Sequence, residues 1–341
     1  MTDKITQYRE NKAINYSLLS SLKQDPRLAK LSIDGIEKKA TKGMIEGSVL
    51  DTLCFENSTF FNKFDVIKDN ISEKLLPIAQ ACIDAESVNP DFIVQECKRA
   101  KYQPKWSIDA LKTNVIPKIE PYIKAVLAAK DKTIIDEVTY TTYRYATEIL
   151  QTHPFTAKYF TEKNIDGIEV KFQVPVYWTE RIVAKDLTFD KAIDFKGLID
   201  IQVIDHNTKC ILNIDLKKNA KGNGENSFYY WGYYLQASMY YVGTLYNAPQ
   251  GYTVLNPVYI YSNAEDFSRP RLYKIGDETL KVGKIGGWDK STSEYKKGYY
   301  DLVQELYWHI TNNRWEYSRE EYENDGLKIT DNFTTINPFN K

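Results

Sequence analysis

The chain has 341 residues, with 45 Lys and Arg against 46 Asp and Glu, and is 43% hydrophobic and 27% charged, which excludes disordered, collagenous and coiled-coil classes. A formal net charge of −1 excludes whole-protein attraction to nucleic acid, so any such contact rests on local basic clusters. No run approaches the roughly 18 apolar residues that span a bilayer, and the polar opening MTDKITQYRENKA reads as neither membrane-spanning nor secreted.

In chain order, NYSLLSSLKQDPRLAKL predicts a short helix capped by Asn15 or Ser17 and ended near Asp25-Pro26. KGMIEGSVLDTLCF (42–55) predicts a half-buried helix opened by Gly43 or Gly47. Residues 70–132 carry helical periodicity in three segments separated by Pro and Asn breaks, and residues 57–165 as a whole are expected to form a mainly helical insertion. A break follows at His153-Pro154. From Ile168 the pattern changes to alternation in IEVKFQVPVYW, then to two β-rich runs, DFKGLIDIQVID and CILNIDLK, joined by a polar turn of hairpin length. An aromatic-rich helix (SFYYWGYYLQASMYYVGTLY), a strand (GYTVLNPVYIYS) and a last helix over 291–312 complete the pattern. This order predicts an α/β (α+β) protein: a mixed central sheet flanked by helices over 168–262, a helical N-terminal insertion, and a helical extension over 263–341. Cys54, Cys82, Cys97 and Cys210 show no C-x-x-C spacing, so thiols in a reducing, cytoplasmic compartment are expected.

The chemistry concentrates in Gly197-Leu-Ile-Asp200 and Ile214-Asp215-Leu216-Lys217. If residues 206–209 form the hairpin loop, Asp205 pairs with Cys210, and counting back puts Asp200 opposite Asp215, about 5 Å apart at Cβ. Alternation then places Lys217 on the face of Asp215 and turns Leu216 to the core. Two carboxylates this close repel unless a cation lies between them. Hard oxygen ligands at this spacing suit Mg²⁺ or Mn²⁺, with the carbonyl of Leu216 as a further ligand and Lys217 to orient a water. Together they are equipment for metal-assisted phosphodiester hydrolysis. Against this stands an ordinary surface salt bridge, since D-x-K by itself is common.

Gly-x-x-Asp, D-x-K at the end of the next strand, and a helix carrying Gln236-x-x-x-Tyr240 together resemble the PD-(D/E)XK nuclease superfamily, in its RecB-like and RecE-like (exodeoxyribonuclease VIII-type) branch. NYSLLSSLKQDP is similar to the opening segment of RecE-type and related phage nucleases, EGSVLDTLCFEN to their G-[ST]-x-x-[HD]-x-L-[LV] helix, and NNRWEYSREEYE to their late G-x-W-x-x-Y segment. The resemblance implies a single domain with a restriction-endonuclease-like core and a Mg²⁺-dependent exonuclease resecting linear duplex DNA ends in phage-type recombination. It makes Asp200 and Asp215 metal ligands, Lys217 the catalytic lysine, and Gln236 and Tyr240 the pair that holds the DNA end or supports the lysine. Asp51 falls where relatives often carry His, and Glu169 and Glu46 are further candidates for a third carboxylate. Lys218, Lys221 and Tyr233 are candidate DNA contacts, through phosphates and base stacking. A homo-oligomer and a single-strand annealing recombination protein are the implied partners, with no membrane. Two other readings fit the same residues: a RecB-like repair nuclease acting on single strands or branched ends, and a non-catalytic DNA-binding protein on the same scaffold.

Overall fold

In the computed structural model, the described residues are 2–36, 40–68, 71–129, 131–161, 163–184, 187–219, 225–289 and 293–326. The chain divides into two compact units, Met1–Thr41 with Leu150–Lys341, and Lys42–Ile149.

The first unit opens with three helices, α1 (Thr2–Glu10), α2 (Tyr16–Gln24) and α3 (Pro26–Ile33). Asn15 caps α2, its Oδ1 accepting from the amide of Leu18 at 2.9 Å. Asp25 serves two helices: its N–H donates to the Ser21 carbonyl that ends α2, and its carboxylate accepts from the amide of Arg27 at 2.9 Å to start α3. Pro26, the expected terminator, thereby becomes the first residue of another helix.

The second unit contains α4 (Lys42–Phe55), a 3₁₀ turn (Asn57–Thr59), α5 (Phe60–Lys63), β1 (Phe64–Ile67), α6 (Leu76–Asp84), α7 (Pro90–Arg99), α8 (Ile108–Asn114), α9 (Ile116–Ala129), β2 (Thr133–Asp136) and most of α10 (Glu137–Thr152). Its helical core is built from Ile78, Cys82, Ile93, Cys97, Leu111, Ile119 and Ile123, the apolar positions of the three periodic segments. The unit begins at Lys42, upstream of residue 57, and includes a parallel pair of strands, with Phe64 opposite Thr133 and Ile67 opposite Asp136.

The first unit resumes with β3 (Lys163–Ile165), β4 (Ile168–Val183), β5 (Asp190–Asp205), β6 (Cys210–Asn219), α11 (Glu225–Tyr230), α12 (Tyr233–Asn247), β7 (Thr253–Asn263), β8 (Arg271–Lys274), α13 (Asp277–Ile285), β9 (Gly287–Asp289), β10 (Glu294–Lys296), α14 (Tyr299–Asn312) and α15 (Arg319–Glu323). The six larger strands form one curled mixed sheet in the order β3-β4-β5-β6-β7-β8. Only β6 and β7 run parallel, because α12 carries the chain back across the sheet between them. The region after residue 263 is less helical than expected, since it supplies the edge strand β8 and the β9–β10 hairpin, and the last long helix starts at Tyr299. The expected single aromatic helix is two: Gly232, at φ +74°, separates α11 from α12.

Trp178, Phe195 and Ile199 from the sheet pack with Leu235 and Met239 of α12 and with Leu302 and Leu306 of α14. Beyond the end of β6, the amide of Ile14 donates to the Asp194 carbonyl and the amide of Lys196 donates to the Ile14 carbonyl, both at 2.9 Å, so the N-terminal segment takes the place beside β5 that β6 vacates. The buried Lys196 ammonium secures that segment by donating to the carbonyls of Tyr8, at 2.7 Å, and Asn11. Among the described residues no helix is long and apolar enough to cross a membrane, and no cysteine is in a disulfide.

Candidate active site

The hairpin register follows the turn count: Asp205 faces Cys210, and the ladder runs to Ile201 opposite Ile214. At the next position the side chain of Asp200 takes over from the ladder, its Oδ2 accepting from the Leu216 amide at 2.9 Å. That bond fastens Asp200 to the segment that carries Asp215 and Lys217.

Asp215 is 4% exposed, and apart from the Lys217 ammonium no protein group donates to its carboxylate. That ammonium lies 2.5 Å from Oδ2, a close ion pair. Burial raises the Asp215 carboxyl above the usual carboxylate range, and the Lys217 charge opposes that rise. For Lys217, burial pulls the other way, yet the charges of Asp215 and Asp200 hold the ammonium well above the ordinary lysine value. The two carboxylates thus favour the charged form of Lys217, which suits it to donate and to neutralise charge. Its ammonium lies 4.7 Å from the ring centre of Tyr233 and 5.8 Å from that of Tyr259, inside cation–π range.

Helix α12 is set close to the sheet at Gly197. A Cβ there would lie 2.9 Å from two ring carbons of Tyr240 and 3.2 Å from Cγ2 of Val176, so the glycine of Gly-x-x-Asp makes room for the tyrosine of Gln-x-x-x-Tyr. Tyr240 and Gln236, one turn apart, are joined by a side-chain hydrogen bond, and burial drives the Tyr240 phenol far up, with Asp215 and Asp200 adding to the rise. The Tyr259 hydroxyl donates to the Tyr233 carbonyl at 3.2 Å and lies 3.5 Å from Gln236 Oε1. A buried polar row continues behind them, Gln202 Nε2 donating to Asn213 Oδ1 at 3.2 Å and Asn213 Nδ2 to Thr244 Oγ1 at 2.6 Å.

The structure thus brings together Asp200, Asp215, Leu216, Lys217, Tyr233, Gln236 and Tyr240. It does not bring Glu169 to them. That residue stands opposite Ile204, four positions along β5 from Asp200, or about 13 Å at strand rise. Its carboxylate pairs with Lys171 at 2.7 Å and lies 3.6 Å from the His206 ring. Alternation turns Lys218 to the face opposite Lys217. Asp51 and Glu46 are on α4, in the second unit, and Lys221 lies outside the described residues. Tyr16 of α2, not anticipated from the sequence, joins the site: its hydroxyl donates to the Trp231 carbonyl at 2.8 Å, and burial pushes its phenol up to about 12 within the fields of Lys217 and Asp215. Only its place in NYSLLSSLKQDP marked that segment.

The donor set fits a hard divalent cation: two carboxylates, one of them buried and reached by no protein donor but the Lys217 ammonium, and the carbonyl of Leu216, the residue between Asp215 and Lys217. Among the described residues no three His, Cys, Asp or Glu side chains cluster into a metal cage. Such a cation would therefore keep part of its coordination for water and a substrate oxygen, as Mg²⁺ commonly does.

No family model matches the chain, and no curated protein matches it. Among solved structures, a protein of Eubacterium rectale named as a candidate exonuclease is similar over 93% of this chain and 83% of its own, at 10% identity and a TM-score of 0.41. A likeness of that size carries no residue-by-residue correspondence.

Proposed function

We propose that the chain is a metal-dependent deoxyribonuclease with a restriction-endonuclease-like core, acting as an exonuclease on duplex DNA ends. The observation that carries this reading is Asp215, a buried carboxylate to which no protein group but the Lys217 ammonium donates, beside a second aspartate. A buried charge left this way is costly as a structural element and useful as a cation ligand. The chain of motifs Gly-x-x-Asp, D-x-K and Gln-x-x-x-Tyr supports the same reading by resemblance.

Asp200, Asp215 and the carbonyl of Leu216 are the groups that would hold Mg²⁺ or Mn²⁺. A divalent cation supplies Lewis acidity there, lowering the pKa of a bound water and screening phosphate charge. The Leu216 amide keeps Asp200 Oδ2 fixed. Lys217, its charged form favoured by Asp215 and Asp200, donates to the phosphoryl oxygen on which negative charge develops. Tyr233 and Tyr259 confine that ammonium, and the Gln236–Tyr240 pair sets the helix that carries Tyr233.

The test is a time course on linear duplex, closed circular duplex and single-stranded DNA, labelled at either end, with Mg²⁺ or EDTA and with Asp215→Asn as control. The expected result is Mg²⁺-dependent loss of linear duplex, an untouched circle and no cleavage by the variant. Cleavage by Asp215→Asn at the wild-type rate would refute the site assignment, and attack on the circle would refute end dependence.

A further inference from the structure

Asp200 Oδ2 accepts from the Leu216 amide, on the β6 side. Across the sheet, β4 supplies a side chain for it. The β4–β5 register continues unbroken from Ile168 opposite Asp205 to Val183 opposite Asp190 except at one rung, the position where Gln173 would face Asp200. There the Gln173 backbone adopts φ +50°. Ten described residues other than glycine have positive φ; nine lie in turns or bends, and Gln173 is the one inside a strand. Such a conformation costs a non-glycine residue energy and persists only where its surroundings impose it.

The result of that distortion is visible in the side chains. On one side of the missing rung Ile193, Phe195 and Ile199 pack in the core shared with α12. On the other side it is Gln202 that joins the polar row reaching Thr244 of α12. The alternation of β5 changes phase at Asp200, which turns its carboxylate toward Asp215, and the amide of Gln173 lies against it with Nε2 3.5 Å from Asp200 Oδ1.

We propose that Gln173 is a positioning residue of the cation site: its left-handed backbone turns Asp200 into the site and its amide sets the direction of Oδ1. This inference rests on the functional reading above. Groups behind metal-ligating carboxylates tune affinity by orienting them, and their loss commonly weakens binding by about 10- to 100-fold.

The experiment measures Mn²⁺ affinity of the full chain by electron paramagnetic resonance, together with Tm and the Mn²⁺ dependence of DNA cleavage, for wild type, Gln173→Met and Gln173→Gly. Gln173→Met keeps the length of the side chain and removes the amide, while Gln173→Gly also relieves the left-handed backbone. The expected outcome is Mn²⁺ binding at least about tenfold weaker in both, with Tm unchanged in the first and not lowered in the second, and cleavage restored by raising Mn²⁺. Wild-type affinity in both variants overturns the proposal while leaving the functional reading intact. Affinity loss that only tracks a fall in Tm makes Gln173 a structural residue and also overturns it. Absence of Mn²⁺ binding in the wild-type chain overturns both readings together.

Discussion

Replacing Gly197 by alanine tests how closely the central sheet and α12 are fitted. The added methyl meets Cδ1 and Cε1 of Tyr240 at 2.9 Å and Cγ2 of Val176 at 3.2 Å. Carbon pairs are most favourable at about 3.5–4.0 Å, so two ring atoms overlap by roughly half an ångström or more and the helix or the ring has to yield. Overpacking of this kind costs about 1–3 kcal/mol. In a domain of this size each kcal/mol lowers Tm by about 2–4 °C. The assay is urea or thermal unfolding of Gly197→Ala, Tyr240→Leu and the double variant, with Mn²⁺ affinity measured alongside. Because the clash is with the ring, the alanine should cost clearly less in the Tyr240→Leu background, a coupling that a double-mutant cycle isolates. Equal cost in both backgrounds, or an alanine variant as stable as wild type, would refute the reasoning.

Lys217→Met should abolish cleavage and destabilise the metal-free fold by about 3–5 kcal/mol, since it leaves a buried carboxylate with no counter-charge; denaturant titration in EDTA measures this, and an unchanged midpoint would contradict it. The Asp215 carboxyl binds its proton more tightly folded than unfolded. Its contribution to stability is therefore full below the ordinary carboxylate pKa and declines as pH rises through the raised value. Unfolding free energies in EDTA across acid to neutral pH should show that decline in wild type relative to Asp215→Asn, and parallel curves would refute it. The raised Lys217 contributes stability that is full below the ordinary lysine pKa and disappears only as pH climbs through its own higher value, which alkaline unfolding of wild type against Lys217→Met would detect. Glu180 is buried, accepts from the hydroxyls of Tyr299 and Tyr300 and forms an ion pair with the Lys284 ammonium, each at 2.7 Å. Glu180→Leu should then cost about 3–5 kcal/mol, by stranding those donors, without altering Mn²⁺ affinity of the folded protein; a change in affinity at constant Tm would contradict that separation.

The heart of the site was legible because a strand hairpin is arithmetic. A polar turn at residues 206–209 defines which residues face each other, and counting from it reproduces the ladder from Asp205 opposite Cys210 to Ile201 opposite Ile214, one position short of Asp200 and Asp215. The counting fails where the backbone leaves the pleat. Gln173 carries no local signal for a left-handed conformation, since that state is favoured by Gly, Asn and Asp, and only the tertiary structure imposes it. Glu169 looked plausible because it opens the neighbouring strand, but its register opposite Ile204 sets it near the hairpin turn instead. Asp25-Pro26 marks a helix end, yet Pro at a first helical position behind an Asp cap is equally a start. The edge strand β8 carries no sequence signal because PRLYK is too short to show alternation.

The docking of the N-terminal segment along β5 bears on how the sheet is completed during synthesis. Ile14 and Asp194, hydrogen-bonded in the finished structure, are 180 positions apart in the chain. Helix α2, which supplies Tyr16 to the candidate site, precedes β5 in the chain and has no sheet to join until β5 emerges. Contacts of such long range are slow to form. Until the segment docks, the β5 backbone at Asp194 and Lys196 presents an unpaired carbonyl and amide, the kind of edge that other chains add to. Removing the first fourteen residues would make that transient exposure permanent, so such truncated chains should aggregate in proportion to concentration even where Asp200, Asp215 and Lys217 are untouched.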